Sequence, residues 1–172
     1  MSRSQDDLYA EAMEAYSAAL ERLVRAYEFD TDKRRDLLQE IHLALWRSFE
    51  KFEGRSSLRT WVYRVAHNTA ASYVIRQRRT NLGTLLTLEE AETLPDLVDH
   101  ERDAGQRMAI DQLLRLIHRL KPVDRQLMLL YLEDLEAPEI AEISGISPGN
   151  VRVHLHRVRR ILAKQFHEGG YA

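Results

Sequence analysis

Apolar residues recur at spacings of three and four almost from one end of this chain to the other, and that pattern rules out most folds. Such spacing gathers side chains on one face of an α-helix, whereas a half-buried strand needs strict alternation, of which no run stands out. With only 7 glycines and 4 prolines in 172 residues, little interrupts it. The chain therefore reads as all-α. Helices are expected over about Asp6 to Tyr27, Thr31 to Lys51, Ser57 to Arg79, Ala104 to Leu120, Val123 to Leu132, Pro138 to Ile143 and Pro148 to Phe166. The stretch from Thr80 to Asp103 keeps no period and reads as a linker. The expected architecture is two small helical domains: an N-terminal bundle over 1–80 and a C-terminal four-helix domain over 104–172, joined by an acidic linker over 81–103.

Charge is segregated although the net charge is only −2. From Gly54 to Leu88 there are six arginines (Arg55, Arg59, Arg64, Arg76, Arg78, Arg79) and no acid. From Glu89 to Asp103 there are seven acids against Arg102 alone, and from Val151 to Lys164 five cations and again no acid. Two basic blocks flanking an acidic one point to polyanionic partners at two places on the chain. Other classes drop out. There is no cysteine, hence no disulfide, thiolate metal site or cysteine nucleophile. No HExxH, glycine-rich phosphate loop or nucleophile elbow occurs, and the histidines do not fall at ligand spacing, so no catalytic residue, metal or cofactor is expected. No apolar run approaches the roughly 20 residues of a membrane span, and the opening MSRSQDDLYAEAMEAY has no apolar leader core. The expectation is a cytoplasmic protein without membrane insertion.

The sharpest local pattern is PEIAEISGISPGNVRVHLHRVRRILA. Ile140, Ala141 and Ile143 make the apolar side of a short helix, Gly145 permits a tight turn, and Ser147-Pro148 caps and opens a second helix. On that helix Val151, Leu155, Val158 and Leu162 form one stripe, with Arg152, Val153, His156, Arg157 and Arg160 opposite. A basic face starting at a helix N-terminus suits a recognition helix in a major groove. Alone it would more often be solvated surface; the preceding helix and turn favour a DNA-binding helix-turn-helix.

In the N-terminal part, FEGRSSLRTWVYRVAHNTAASYVIRQRR places Val62, Ala66, Thr69, Ala70 and Tyr73 on the core side of a helix. The other side carries Trp61, Arg64, Asn68 and Ser72. Tryptophan beside cations suits stacking on unpaired bases, and equally suits a tryptophan folded into a small core. One helix earlier, Leu37, Leu38, Ile41, Leu45 and Phe49 supply the core, leaving Gln39, Glu40, Leu43, Trp46 and Arg47 on the far side. That patch fits a protein partner or packing against the first helix.

Two segments resemble a known family. DLLQEIHLALWRSFEKFEGRSSLRTWVYRVAHNTA is similar to the second conserved region of extracytoplasmic-function σ factors, and LKPVDRQLMLLYLEDLEAPEIAEISGISPGNVRVHLHRVRRILA to their fourth. The resemblance implies a non-enzymatic subunit that binds core RNA polymerase, through the clamp helices of its largest subunit and its flap, and directs it to promoter DNA. It also implies control by an anti-σ factor. By position, Gln39, Glu40, Leu43, Trp46 and Arg47 would bind the polymerase. Phe52, Arg55, Trp61, Arg64, Asn68, Ser72 and Arg76 would serve the downstream promoter element, Phe52 and Asn68 lining a pocket for an extruded base. Ser147, Asn150, Arg152, Val153, His156, Arg157 and Arg160 would read the upstream element as duplex. Ser72, where the family often has aspartate, and Glu136, where it commonly has a serine or threonine cap, depart from the pattern. The competing reading is a dimeric regulator with the same helix-turn-helix, which would bind duplex DNA alone.

Overall fold

The computed structural model describes residues 3–82 and 104–168, and among them every regular element is an α-helix. These are α1 (Gln5–Tyr27), α2 (Thr31–Phe49), α3 (Leu58–Leu82), α4 (Ala104–His118), α5 (Pro122–Leu132), α6 (Ala137–Ser144) and α7 (Pro148–Glu168). The linker expected over 81–103 lies, after its first two residues, outside the described residues.

Local chemistry explains the helix ends. Ser4 Oγ accepts the Asp7 N–H at 3.1 Å while the Asp7 carboxylate accepts the Ser4 N–H at 3.2 Å, a reciprocal cap for α1. Asp30 caps α2 by accepting the N–H groups of Asp32 and Lys33, each at 3.0 Å. Ser57 does the same for α3 through the Thr60 N–H at 3.0 Å. Between α6 and α7, Gly145 takes a left-handed φ of 75°, the turn for which a glycine suits best. Between α5 and α6 the left-handed residue is Asp134, at φ 58°. There the Leu135 N–H reaches the Leu130 carbonyl (3.3 Å) and the Asp134 N–H the Tyr131 carbonyl (3.1 Å), the paired bonds of a Schellman turn.

The first three helices pack around Leu20, Leu37, Ile41, Leu45, Val62, Ala66 and Ala70, all fully buried. The last four close around Ile117, Leu127, Leu130, Ile140, Val151 and Val158. Each fully buried aliphatic side chain contributes about 1.5–3 kcal/mol, and the buried residues of the two units belong to one continuous apolar cluster. The α7 stripe Val151, Leu155, Val158 and Leu162 is buried throughout, as its spacing predicts.

On α3 the structure adds to the expected core face. Val62, Ala66, Ala70 and Tyr73 are buried and Thr69 is half-buried, but Tyr63 and His67 on another side are buried as well. The cause is a seam at which the C-terminal unit packs on α1 and α3. Its centre is Glu133, the residue that closes α5. Its carboxylate accepts two hydrogen bonds from Arg22, both 2.7 Å, and one from the Tyr63 hydroxyl at 3.3 Å, while its carbonyl accepts from Arg59 at 2.6 Å. Further along, His118 lies on Phe29 with ring centroids 4.6 Å apart and the Arg125 guanidinium stands 5.6 Å from the Tyr27 ring. A cavity of about 310 Å³, walled by residues such as Leu23, His67, Leu113, Leu114 and Leu129, remains between the units.

Candidate nucleic-acid interface

The α7 surface is built from behind. Beneath its outward face the buried stripe fixes the helix, and Asp124 on α5 fixes its flank. This carboxylate is 7% exposed; it meets His154 Nδ1 at 2.7 Å and Arg157 Nη2 at 3.0 Å from both of its oxygens. A buried carboxylate without such partners would be strongly destabilising, so the cluster fastens α7 to α5. The sequence reading missed Asp124, although an acid beside Arg125 in the apolar run PVDRQLMLLYL was a sign that buried charges need partners.

All seven residues expected to read duplex DNA are exposed, among them Ser147, Asn150, Arg152, Val153, His156 and Arg160. The Ser147 Oγ accepts the Asn150 N–H at a long 3.4 Å, so it caps the helix from its place on that surface. Arg157, the seventh, is exposed but has one guanidinium nitrogen on Asp124. Val153 is 65% exposed in the middle of this polar face, an arrangement suited to contact with a thymine methyl. Arg152 and His156 also form one wall of a cleft of about 610 Å³ between α7 and the α5–α6 turn, where Arg159 stands 5.3 Å from the Tyr131 ring.

The α3 surface is built differently. Trp61 is half-buried: its Nε1–H donates to Ser48 Oγ at 2.9 Å and its ring meets Phe52 edge-on at 5.3 Å, with Phe49 behind Phe52 at 6.3 Å. The core and stacking readings of Trp61 therefore each hold for part of the ring. Its open part lines a cleft of about 370 Å³ together with Lys51, Arg55 and Arg64. An aromatic face among cations can stack an unpaired base and hold its phosphates. Phe52 and Asn68 are not among the lining residues; Phe52 backs Trp61, and Asn68 and Ser72 stand exposed on α3.

Several cations here already have partners. Arg55 pairs with Glu53 at 2.6 Å, and Arg76 with Glu40 at 2.5 Å. Arg64 donates to the Glu142 carbonyl of α6 at 2.7 Å, and Glu142 also lines the Trp61 cleft. Neither Glu133 nor Glu142 stood out in the sequence, because what they touch is 70 or more positions away.

On α2, Gln39, Leu43, Trp46 and Arg47 are exposed and Glu40 is half-exposed. Leu43 and Trp46 leave 47% and 41% of their surface open, an apolar pair inside a polar rim. The indole is tied at one edge, its Nε1–H donating to Asp6 Oδ1 at 2.9 Å, so packing on α1 and presentation to solvent coexist.

Two buried groups at the seam have strongly shifted titration. Burial pushes His67 down to about 3, so it stays neutral against the Tyr27 hydroxyl at 3.1 Å. Burial, and then the neighbouring Glu133 charge, pushes Tyr63 up to about 12. Among the described residues no group of three or more His, Cys, Asp or Glu could hold a metal ion, and no helix is long and apolar enough to cross a membrane.

Known proteins align with both surfaces. Residues 12–80 match the family model for Sigma-70 region 2, and residues 110–162 that for Sigma-70, region 4. The ECF RNA polymerase sigma-E factor of Haemophilus influenzae is 34% identical over 135 residues, which span 74% of this chain and 71% of that protein. The RNA polymerase sigma factor YlaC of Bacillus subtilis is 29% identical over 162 residues, 94% of this chain and 91% of its own. The sigma factor RpoE of Bartonella quintana, solved with the anti-sigma factor NepR, has the same fold: the TM-score is 0.73 at 17% identity, covering 95% of this chain and 98% of that one.

Proposed function

The chain belongs to the sigma-70 family, among its extracytoplasmic-function σ factors, and from that premise we propose how its two helical units share promoter recognition. It is an alternative σ factor that binds core RNA polymerase and directs promoter-specific transcription initiation. It acts in the cytoplasm by binding alone, without catalysis and without a cofactor.

The unit over 1–80 is the region 2 domain. Its α2 patch of Gln39, Glu40, Leu43, Trp46 and Arg47 docks on the clamp helices of the largest polymerase subunit, where the exposed indole supplies the buried anchor such interfaces need. The α3 surface handles the downstream element. Trp61 stacks at the melting junction, Arg55, Arg64 and Arg76 hold the backbone, and Phe52, Asn68 and Ser72 serve the extruded base. The unit over 104–172 is the region 4 domain, which reads the upstream element from the α7 face and meets the polymerase flap. The acidic segment over 81–103 runs between them toward the polymerase channels. An anti-σ factor controls the protein, as the Bartonella RpoE complex illustrates for its own chain.

The observation that carries this reading is that one chain presents two unlike surfaces: a cleft where Trp61 stands among Lys51, Arg55 and Arg64, which suits single strands, and an exposed basic α7 face over a buried stripe, which suits duplex. A dimeric duplex-binding regulator has use for only the second. The test is multi-round transcription from candidate promoters by core polymerase, with and without the protein. Initiation at defined sites only in its presence is expected; failure to bind core, together with tight duplex binding alone, would hand the case to the regulator.

A further inference from the structure

Asp124 does more than fasten two helices together. It stands in the first turn of α5, behind Pro122, where the helix dipole favours a carboxylate. Its Oδ1 meets His154 Nδ1 at 2.7 Å, and both of its oxygens meet Arg157 Nη2 at 3.0 Å. A carboxylate accepts only, so the hydrogen of the first contact is on the imidazole, and two residues of α7 share one buried acid. Arg157 is thereby pinned by a single nitrogen while its side chain stays 53% exposed. Its Nη1 and Nε have no partner among the described residues, and the side chains of Arg152 and Arg160 have none at all there. The α7 face therefore carries two kinds of cation. Arg152 and Arg160 are loose chains that a ligand must immobilise; Arg157 is already immobilised. We infer that Asp124 is a positioning residue for duplex recognition, which through Arg157 sets how well one upstream sequence is told from another.

This role presupposes the reading of α7 as the duplex-facing helix, and three physical consequences of the contact support it. The rotamer freedom of Arg157 is given up on folding, so it is not charged against binding as it is for a loose arginine. A loose cation follows whichever phosphate is near, whereas a fixed donor rewards only an acceptor that lies where it points, and in the major groove such acceptors change with the base. Charge works in the same direction. A guanidinium 3.0 Å from a carboxylate offers little net charge to a distant phosphate, yet its free N–H groups still donate at close range. Arg152 and Arg160 hold the duplex in any sequence, and Arg157 adds the part that depends on sequence.

Holoenzyme assembled from core polymerase and the full-length protein is titrated with labelled duplex from a promoter it transcribes, its upstream element intact or scrambled. The ratio of the two affinities measures discrimination. Asp124→Asn is expected to lower that ratio about fivefold, the scale of one side chain left to be immobilised on binding, entirely through weaker binding of the intact element. Binding of scrambled duplex should hold, since the substitution removes a negative charge from beneath the face. Arg157→Lys keeps the charge at an exposed position, but one ammonium cannot serve both Asp124 and a base, so it should lower the ratio alike. It stands in for Asp124→Asn if the thermal transition shows that variant unfolded. In an Arg157→Ala background, Asp124→Asn should lower the ratio no further. Equal loss on intact and scrambled duplex by folded variants, or a full second loss in the double variant, overturns the positioning role and leaves Asp124 a packing residue. A ratio unmoved by Arg152→Ala and Arg157→Ala alike overturns it through the α7 face instead, showing that the duplex reading was the part that failed.

Discussion

The arginines of α7 and those of α3 belong to equally basic stretches, yet their surroundings are opposite. Arg152 and Arg160 stand exposed, on a helix braced from behind by Asp124 and the buried stripe. Arg59 and Arg64 are held from in front, by Glu133 and Glu142 of the other unit. A surface braced from behind is ready for its ligand, whereas one held from in front must exchange one partner for another. On the proposed reading, duplex DNA and core polymerase would meet prepared surfaces on this protein, and single-stranded DNA an occupied one.

Mutations can break that comparison or sharpen it. The largest effect is expected on the open α2 patch: Trp46→Ala should weaken capture of core polymerase about 30-fold, the scale of an interface anchor, with strand binding by the free protein unmoved. Equal loss of both in a binding assay would make Trp46 a structural residue of the α1–α2 contact. On the open α7 face, Arg152→Ala should cost about tenfold in affinity for upstream duplex and lower the slope of log affinity against log salt if the contact is to phosphate. An unaltered footprint would remove Arg152 from the reading surface. On α3, Asn68→Ala should slow promoter opening about fivefold, on the scale of one lost hydrogen bond, while core binding holds. Permanganate reactivity of the melted thymines separates the two.

The smallest effect concerns the seam and pH. His67 in the folded protein lies far below the ordinary histidine value near 6.5, because burial excludes the proton. The native state therefore resists a proton that the unfolded chain accepts. Its contribution is present above about 6.5 and is lost as pH falls toward 3, the loss reaching about 1 kcal/mol by pH 6. Urea titrations of the wild type and His67→Gln between pH 7.5 and 6 should converge by that amount; parallel curves would mean the histidine is protonated in place.

Much of the fold could be read from spacing because each helix meets its own unit through one apolar stripe. The four α7 positions and the α2 positions Leu37, Ile41, Leu45 and Phe49 are all buried. Helix ends were legible to within a turn. Lys51, placed inside α2, lies beyond its end, where the chain tightens and the Lys51 N–H bonds the Ser48 carbonyl. What spacing could not reveal was the second buried side of α3. Tyr63 and His67 are covered by a unit more than forty positions away in sequence, and no local period encodes such a meeting. The same holds for the site. Exposure of Leu43, Trp46, Arg152 and Val153 follows from helical phase, but the pairing of Arg157 with Asp124, of Arg76 with Glu40 and of Arg64 with Glu142 does not. The left-handed turn at Asp134 was silent too, since aspartate marks such a position far less plainly than the glycine at 145 does.

Of the two tryptophans, Trp46 sits out on α2 and Trp61 lies in the cleft beside Glu142. Emission from the second should therefore answer to any group that enters the cleft from the α6 side, while emission from the first should scarcely do so. The protein carries its own lamp for that cleft. With Trp46 replaced by phenylalanine, a single indole would time the arrival of a short DNA strand in a rapid-mixing instrument.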